Sequence, residues 1–205
     1  MNTLVKNKYK MLNALSMGRN HTILIIIDMQ DRLLNTIPEN EAIISNAKRL
    51  IEAFTILGLE IIYTEQNPLK LGYTTRKLNL QSPIKAYKKM DFSCIGCNDL
   101  LVHLKEREIK DILICGIESH VCVLQTVIDL INLDYQTFIP IDAIGSRNSI
   151  DHETAIKRIQ SSGGILSTTE TAIFELCKTA SSKHFRDLSQ IIKKRLPESK
   201  TQLIN

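Results

Sequence analysis

Six residues, Thr22-Ile-Leu-Ile-Ile-Ile27, form an unbroken, mostly β-branched apolar run that ends on an acid, Asp28. Alternating polarity would mark a strand with one wet face. An uninterrupted run fits a central strand covered on both faces, as in a parallel sheet. Parallel neighbours need long crossover connections, usually helical, and the rest of the chain supplies them. A helix is expected from Thr36-Ile-Pro-Glu39, with Thr36 as cap, Glu39 completing a capping box, and Pro38 tolerated in the first turn. Its apolar face is Ile43, Ala47, Leu50, Ile51 and Phe54, and Gly58 stops it. A second strand follows over 59–64, closed by Glu65-Gln-Asn-Pro68, and a polar loop with Gly72 leads to a short strand and loop over 84–93.

The second half repeats the alternation. A helix over about 98–108 carries Leu100, Leu101 and Leu104. The run from Ile112 to Cys115, closed by Gly116, reads as a buried strand. A mostly buried helix over about 119–133 has one thin polar stripe, Gln125, Asp129 and Asn132. A strand over 135–141 reaches Asp142 and Gly145, and a helix over about 151–161 ends at Gly163-Gly164. Ile165 to Ser167 is a last short strand, and Ser167-Thr-Thr-Glu170 is a capping box that opens a helix to about Lys178. Phe185, Leu188, Ile191 and Ile192 share one face of a terminal helix over about 184–194, for packing on the domain or on a second subunit. The fold expected is α/β: a three-layer α/β/α arrangement, Rossmann-type, around a mostly parallel sheet of roughly six strands. Residues 1–20 form an N-terminal extension and 21–205 one domain.

Composition narrows the function classes. A length of 205 residues is one domain's worth, with 43% hydrophobic residues to fill a core. The net charge of +4 collects in the last thirty residues and between Lys70 and Lys89, without aromatic residues patterned for nucleic acid. A solvated basic face is the reading, and no nucleic-acid partner is expected. Five cysteines, an odd number in a chain too long to need disulfide staples, point to reduced thiols in a cytoplasm. The first twenty residues are basic but lack the apolar core of a secretory signal. No apolar run is long enough for a membrane span.

In open parallel sheets ligands sit at the carboxyl ends of the strands. Asp28, Glu65 and the turn before Cys122 all fall there. Cys122 opens the helix after the strand that Gly116 closes, where the helix dipole and free N–H groups favour thiolate. The alternative is a buried, inert cysteine. His120 lies two residues away on another side of the turn and is a poor base for it. A carboxylate is the substitute, and Asp28 is the candidate. An acid ending an apolar central strand needs a partner, and a cation such as Lys89 supplies one. Cys94-Ile-Gly-Cys97 can be a redox pair or half a metal site, but no second CxxC accompanies it, and the five histidines show no zinc-binding pattern.

Together, Ile-Ile-Ile-Asp28-Met-Gln, Lys89-Met-Asp-Phe-Ser93 and Cys115-Gly-Ile-Glu-Ser-His-Val-Cys122-Val resemble the isochorismatase-like cysteine hydrolases. The likeness continues through Asp142-Ala-Ile-Gly-Ser-Arg147 and Ser162-Gly-Gly-Ile to Ser167-Thr-Thr-Glu170, covering roughly residues 21–178. Thr64-Glu65-Gln66 is similar to a poorly characterised hydrolase branch of that superfamily. The resemblance implies a catalytic triad of Cys122 as nucleophile, Asp28 as general base and Lys89 as their electrostatic partner. Lys89 is preferred to Lys88 because it stands before the Phe92-Ser93 landmark at the matching distance. It also implies a cis peptide between Ile117 and Glu118, and an oxyanion hole made of the Glu118 and Cys122 N–H groups. Leu33, Leu34, Gln66, Phe92 and Ser146 are the expected pocket-lining residues.

Two departures set limits. The metal-dependent nicotinamidases of the superfamily carry Asp-x-His after the second strand, where this chain has Glu65-Gln66-Asn67, so no metal and no cofactor are expected. True isochorismatases cleave a vinyl ether without a cysteine nucleophile, so Cys122 argues against isochorismate. The expectation is a hydrolase of a small amide-like C–N bond working through a thioester. A homo-oligomer is expected too, from the family and from the apolar face of the last helix. The alternatives are a thiol-switch protein using Cys94 and Cys97, and a catalytically inert interaction protein on the same fold.

Overall fold

A computed structural model of the chain describes residues 16–81 and 83–194. Strand β1, Thr22–Ile27, is buried along its whole length. Its side chains alternate between two cores. Leu24 and Ile26 face one, while Ile23, Ile25 and Ile27 face the other. The unbroken apolar run is therefore the signature of a strand sandwiched between two helical layers.

In chain order the main elements are β1, α1 (Asn40–Leu57), β2 (Glu60–Gln66), β3 (Lys85–Lys89), α2 (Asn98–Glu106), β4 (Asp111–Ile117), α3 (Leu124–Asn132), β5 (Gln136–Pro140), β6 (Ile144–Gly145), α4 (Ser149–Ser161), β7 (Ile165–Ser167), α5 (Thr169–Cys177) and α6 (Phe185–Lys193). The sheet order is β3-β2-β1-β4-β5-β7, with β6 paired to β4, and the pairings are parallel. Helices α1, α5 and α6 cover one face. Helices α2, α3 and α4 cover the other. This is the three-layer α/β/α sheet that the hydrophobic pattern predicts.

Among the described residues it has seven strands, where roughly six are expected. The extra one is β6: beyond Asp142 the chain runs on in the direction of β5 and pairs Ile144 and Gly145 with the end of β4. Two residues carry no readable alternation. Helix α1 begins at Asn40, not at Thr36, because Thr36 donates its hydroxyl proton to the Leu33 carbonyl at 2.7 Å to close a short turn over Asp31–Leu34. Glu39 precedes the helix without a side-chain cap bond. Its stop is as expected, Gly58 at φ 66°. Helix α5 is capped one residue later than the Ser167 box requires, by Thr168 accepting from the Thr171 N–H at 3.2 Å. Asp142 explains part of its motif here: its Oδ1 accepts from the Thr169 N–H at 2.8 Å and fixes the start of α5.

The terminal helix packs on its own domain. Leu188 and Ile191 are buried, and Phe185 and Ile192 lie against the same core. Its apolar face is thus used up within the chain, which removes the reason for reading it as a subunit contact. Most of the expected N-terminal extension lies outside the described residues. Its last part is docked, with Met17 buried and its N–H donating to Glu175 Oε1 at 2.9 Å. Among the described residues no helix is long and apolar enough to cross a membrane.

Candidate active site

The strand register brings the ends of β3, β2, β1 and β4 to one edge. Ile27 of β1 pairs with Gly116 of β4, and Gln66 of β2 with Lys89 of β3. At Gly116 (φ 123°) a Cβ would stand 2.1 Å from the Ile27 carbonyl oxygen, so only glycine lets the two central strands close up here. Directly after Ile27, Asp28 takes a left-handed backbone, φ 50°. Aspartate tolerates that region better than most residues. Strain of this kind collects at functional sites.

Asp28 is fully buried, and each of its oxygens is bonded. Oδ1 accepts from the Thr64 hydroxyl at 2.7 Å and Oδ2 from Lys89 Nζ at 2.6 Å. Lys89 has further acceptors around it: Gln66 Oε1 at 2.7 Å, the Phe92 carbonyl at 2.9 Å and the Asp91 carbonyl at 3.3 Å. An ammonium has three protons to give, so this one is saturated by the protein. Burial works to lower its pKa. The charge of Asp28 works the other way, and the group is held above its ordinary value. It is a fixed cation.

Cys122 does not begin an ordinary α-helix. It lies in a wide π-helical turn, Ser119–Val123, which runs into α3. It is 5% exposed, and the charges of the Asp28 carboxylate and the Lys89 ammonium act on its thiol. Burial raises its pKa most, and the Asp28 charge raises it further, against the opposing pull of Lys89. This corrects the expectation of a resting thiolate. The Asp28 carboxylate discourages a second negative charge beside it, which favours the thiol over the thiolate. The Ile117–Glu118 peptide just upstream is cis.

The other expected residues fall differently. Gln66 does not face an open pocket: its side chain bridges Lys89 Nζ and the Met90 carbonyl, the latter at 2.7 Å, and it is 8% exposed. Leu34 belongs to the hydrophobic core, and Leu33 packs on it, because the short turn over Asp31–Leu34 rotates both inward. Ser146 is buried with its hydroxyl on His120 Nδ1 at 2.9 Å. Phe92 stands exposed beside the strand ends, as do Met90 and Leu69. Cys94 is buried and its thiol is pushed up to about 11 by burial first and Asp28 second, which is unfavourable for thiol exchange. Cys94 and Cys97 are both free. Among the described residues no group of three or more His, Cys, Asp or Glu is placed to hold a metal ion.

Two features of the site are not visible as motifs. Thr64 is a fully buried hydroxyl that holds the Asp28 carboxylate. Placing Asp28 beside the end of the second strand would have pointed to it. Ser119 and His152 form a hydrogen bond at 3.0 Å across 33 residues, which no local pattern announces.

The isochorismatase domain model matches residues 22–171. A Dictyostelium discoideum relative, isochorismatase family protein 1A, is 35% identical, over 88% of this chain and 90% of its own. A Caenorhabditis elegans structure described as MAR1 ribonuclease superposes with a TM-score of 0.83 at 29% identity, covering 93% of this chain and 98% of its own. The Escherichia coli YcaC product, described as an octameric hydrolase of unknown specificity, shares the fold, with a TM-score of 0.79 at 20% identity over 87% and 95% of the two chains.

Proposed function

Since the chain belongs to the isochorismatase family, we propose that it is a metal-independent cysteine hydrolase that cleaves a small amide-like C–N bond through a thioester on Cys122. The observation that carries this reading is the buried Asp28 carboxylate, bonded on one oxygen to Thr64 and on the other to the saturated Lys89, with its charge acting on the Cys122 thiol.

The chemistry follows from that arrangement. As the sulfur attacks the carbonyl carbon, Asp28 takes the thiol proton. The two groups therefore do not carry negative charge together. The oxyanion is received by the N–H groups of Glu118 and Cys122. The C–N bond breaks as Asp28 passes its proton to the leaving nitrogen. Asp28, again a carboxylate, deprotonates the water that splits the thioester and returns the proton to sulfur. Lys89 touches no substrate in this scheme. Its ammonium holds the Asp28 carboxylate in place through the 2.6 Å contact to Oδ2. With Asp28 0%, Lys89 5% and Cys122 5% exposed, the substrate is small.

An ammonia-release screen over small primary amides tests the proposal. Turnover of at least one amide, lost by about 10³-fold or more in Cys122→Ala, is the expected outcome. Release that survives the substitution overturns it. A second reading, cleavage of RNA, takes its cue from the C. elegans ribonuclease. Lys70, Arg76, Lys77, Lys85 and Lys88 favour it: they lie in a stretch, 67–90, without a single acid. Single-stranded RNA in the same screen separates the two.

The assembly expected from the family is proposed on a different face. Leu69, Met90 and Phe92, at 94%, 69% and 54% exposure, surround the strand ends that carry the site. A second copy seated there would cover them, in keeping with the octamer of the E. coli protein. The five free cysteines fit a reducing compartment such as the cytoplasm.

A further inference from the structure

The turn that would hold the oxyanion is tied, residue by residue, to a segment containing none of Asp28, Lys89 or Cys122. Glu118 Oε2 accepts from Arg147, from Nε at 3.0 Å and from the backbone N–H at 3.2 Å. Ser119 Oγ bonds His152 Nδ1 at 3.0 Å. His120 Nδ1 bonds Ser146 Oγ at 2.9 Å, and its other nitrogen is 4.0 Å from Asp151. Three consecutive residues of the turn thus hold three side chains from residues 146–152.

The topology explains the alignment. Strand β6 pairs Gly145 with Ile117, so the chain leaves both strands side by side, one into the turn and one into α4. Ser119 and Ser146 are buried, at 0% and 7% exposure, so their hydroxyls depend on these partners. The straps do more than anchor α4. A helix can be held through its apolar face, as α4 is through Ile159. These contacts are polar and directional, and they end on Glu118, which carries one of the expected oxyanion N–H groups, and on Ser119 and His120, which lie between it and Cys122, the bearer of the other.

We infer that Ser146, Arg147 and His152 are positioning residues that fix the Glu118–Cys122 turn as an acceptor of the transition-state oxyanion. The inference rests on the thioester reading above. A misplacement of about 1 Å at such a site costs on the order of 10²-fold in rate.

Two reactions of the same sulfur separate positioning from packing. Acylation of Cys122 by p-nitrophenyl acetate passes through a tetrahedral oxyanion. Alkylation by iodoacetamide is a direct displacement and forms none. Ser119→Ala and His152→Phe are expected to slow acylation about tenfold or more while alkylation stays within about twofold. His152→Asn, which keeps a hydrogen-bonding group, recovers most of the loss. Unchanged acylation overturns the inference, as does a parallel fall in both reactions, which marks general loosening of the fold. A wild-type protein that is never acylated on Cys122 overturns the thioester reading itself, and this inference with it.

Discussion

At the scale of single residues, Asp28 has two opposed effects on Cys122. In the proposed mechanism it takes the thiol proton, while its negative charge favours keeping that proton on sulfur. Removing the charge separates the two. In Asp28→Asn the thiol pKa falls, because one of the influences raising it is gone. The thiolate fraction at neutral pH then rises, and iodoacetamide alkylation at pH 7 speeds up about tenfold or more. Amide turnover collapses by about 10²–10⁴-fold with the loss of the base. In the wild type alkylation is slow at pH 7 and climbs with pH past 9, the direction set by the raised thiol. Stopped alkylation series across pH 6–10 on both proteins check this; a slower Asp28→Asn thiol would refute the coupling. Asp28 and Lys89 are readable from sequence because a charge at the end of an apolar strand demands a counter-charge. Gln66 and Leu34 were expected in a pocket and lie elsewhere, since sequence places them at the right strand end but says nothing about the direction of a side chain.

At the scale of elements, periodicity predicts the helices and strands wherever an element buries one face or both. The apolar face of α1 and the buried run of β1 are examples. It fails where local hydrogen bonds decide. Thr36 closes a turn instead of capping α1, and β6 is too short to carry a pattern. The wide turn at Ser119–Val123 is likewise invisible, because its first residues are held from a distant segment. For α6, periodicity identifies the apolar face but not its partner. With Leu188 wholly buried against its own domain, Leu188→Ala is expected to lower unfolding stability by about 2–5 kcal/mol. The oligomeric mass stays unchanged. Denaturant melts beside light scattering read both quantities. A change in mass with little change in stability would restore α6 as a subunit contact.

At the scale of the molecule, the strand order sets Asp28, Lys89 and the Cys122 turn side by side. They come from three strand ends separated by tens of residues in sequence. That convergence is legible in advance because ligands of parallel sheets sit at carboxyl strand ends. Assembly is not, since exposure of Leu69, Met90 and Phe92 is a property of the folded surface alone. Light scattering of the wild type is expected to give a mass of at least two 23.3 kDa chains. Phe92→Glu should shift it toward one, and a wild-type mass of one chain would contradict the proposed contact.

The central claim is the thioester. Its most direct measurement is the intact mass of protein quenched in acid during turnover of an amide found by the screen, followed by peptide mapping. An acyl adduct on Cys122 that appears and decays with turnover, and is missing from Cys122→Ala, is the predicted result. Steady hydrolysis with no adduct on Cys122, or an adduct on another residue, would contradict it.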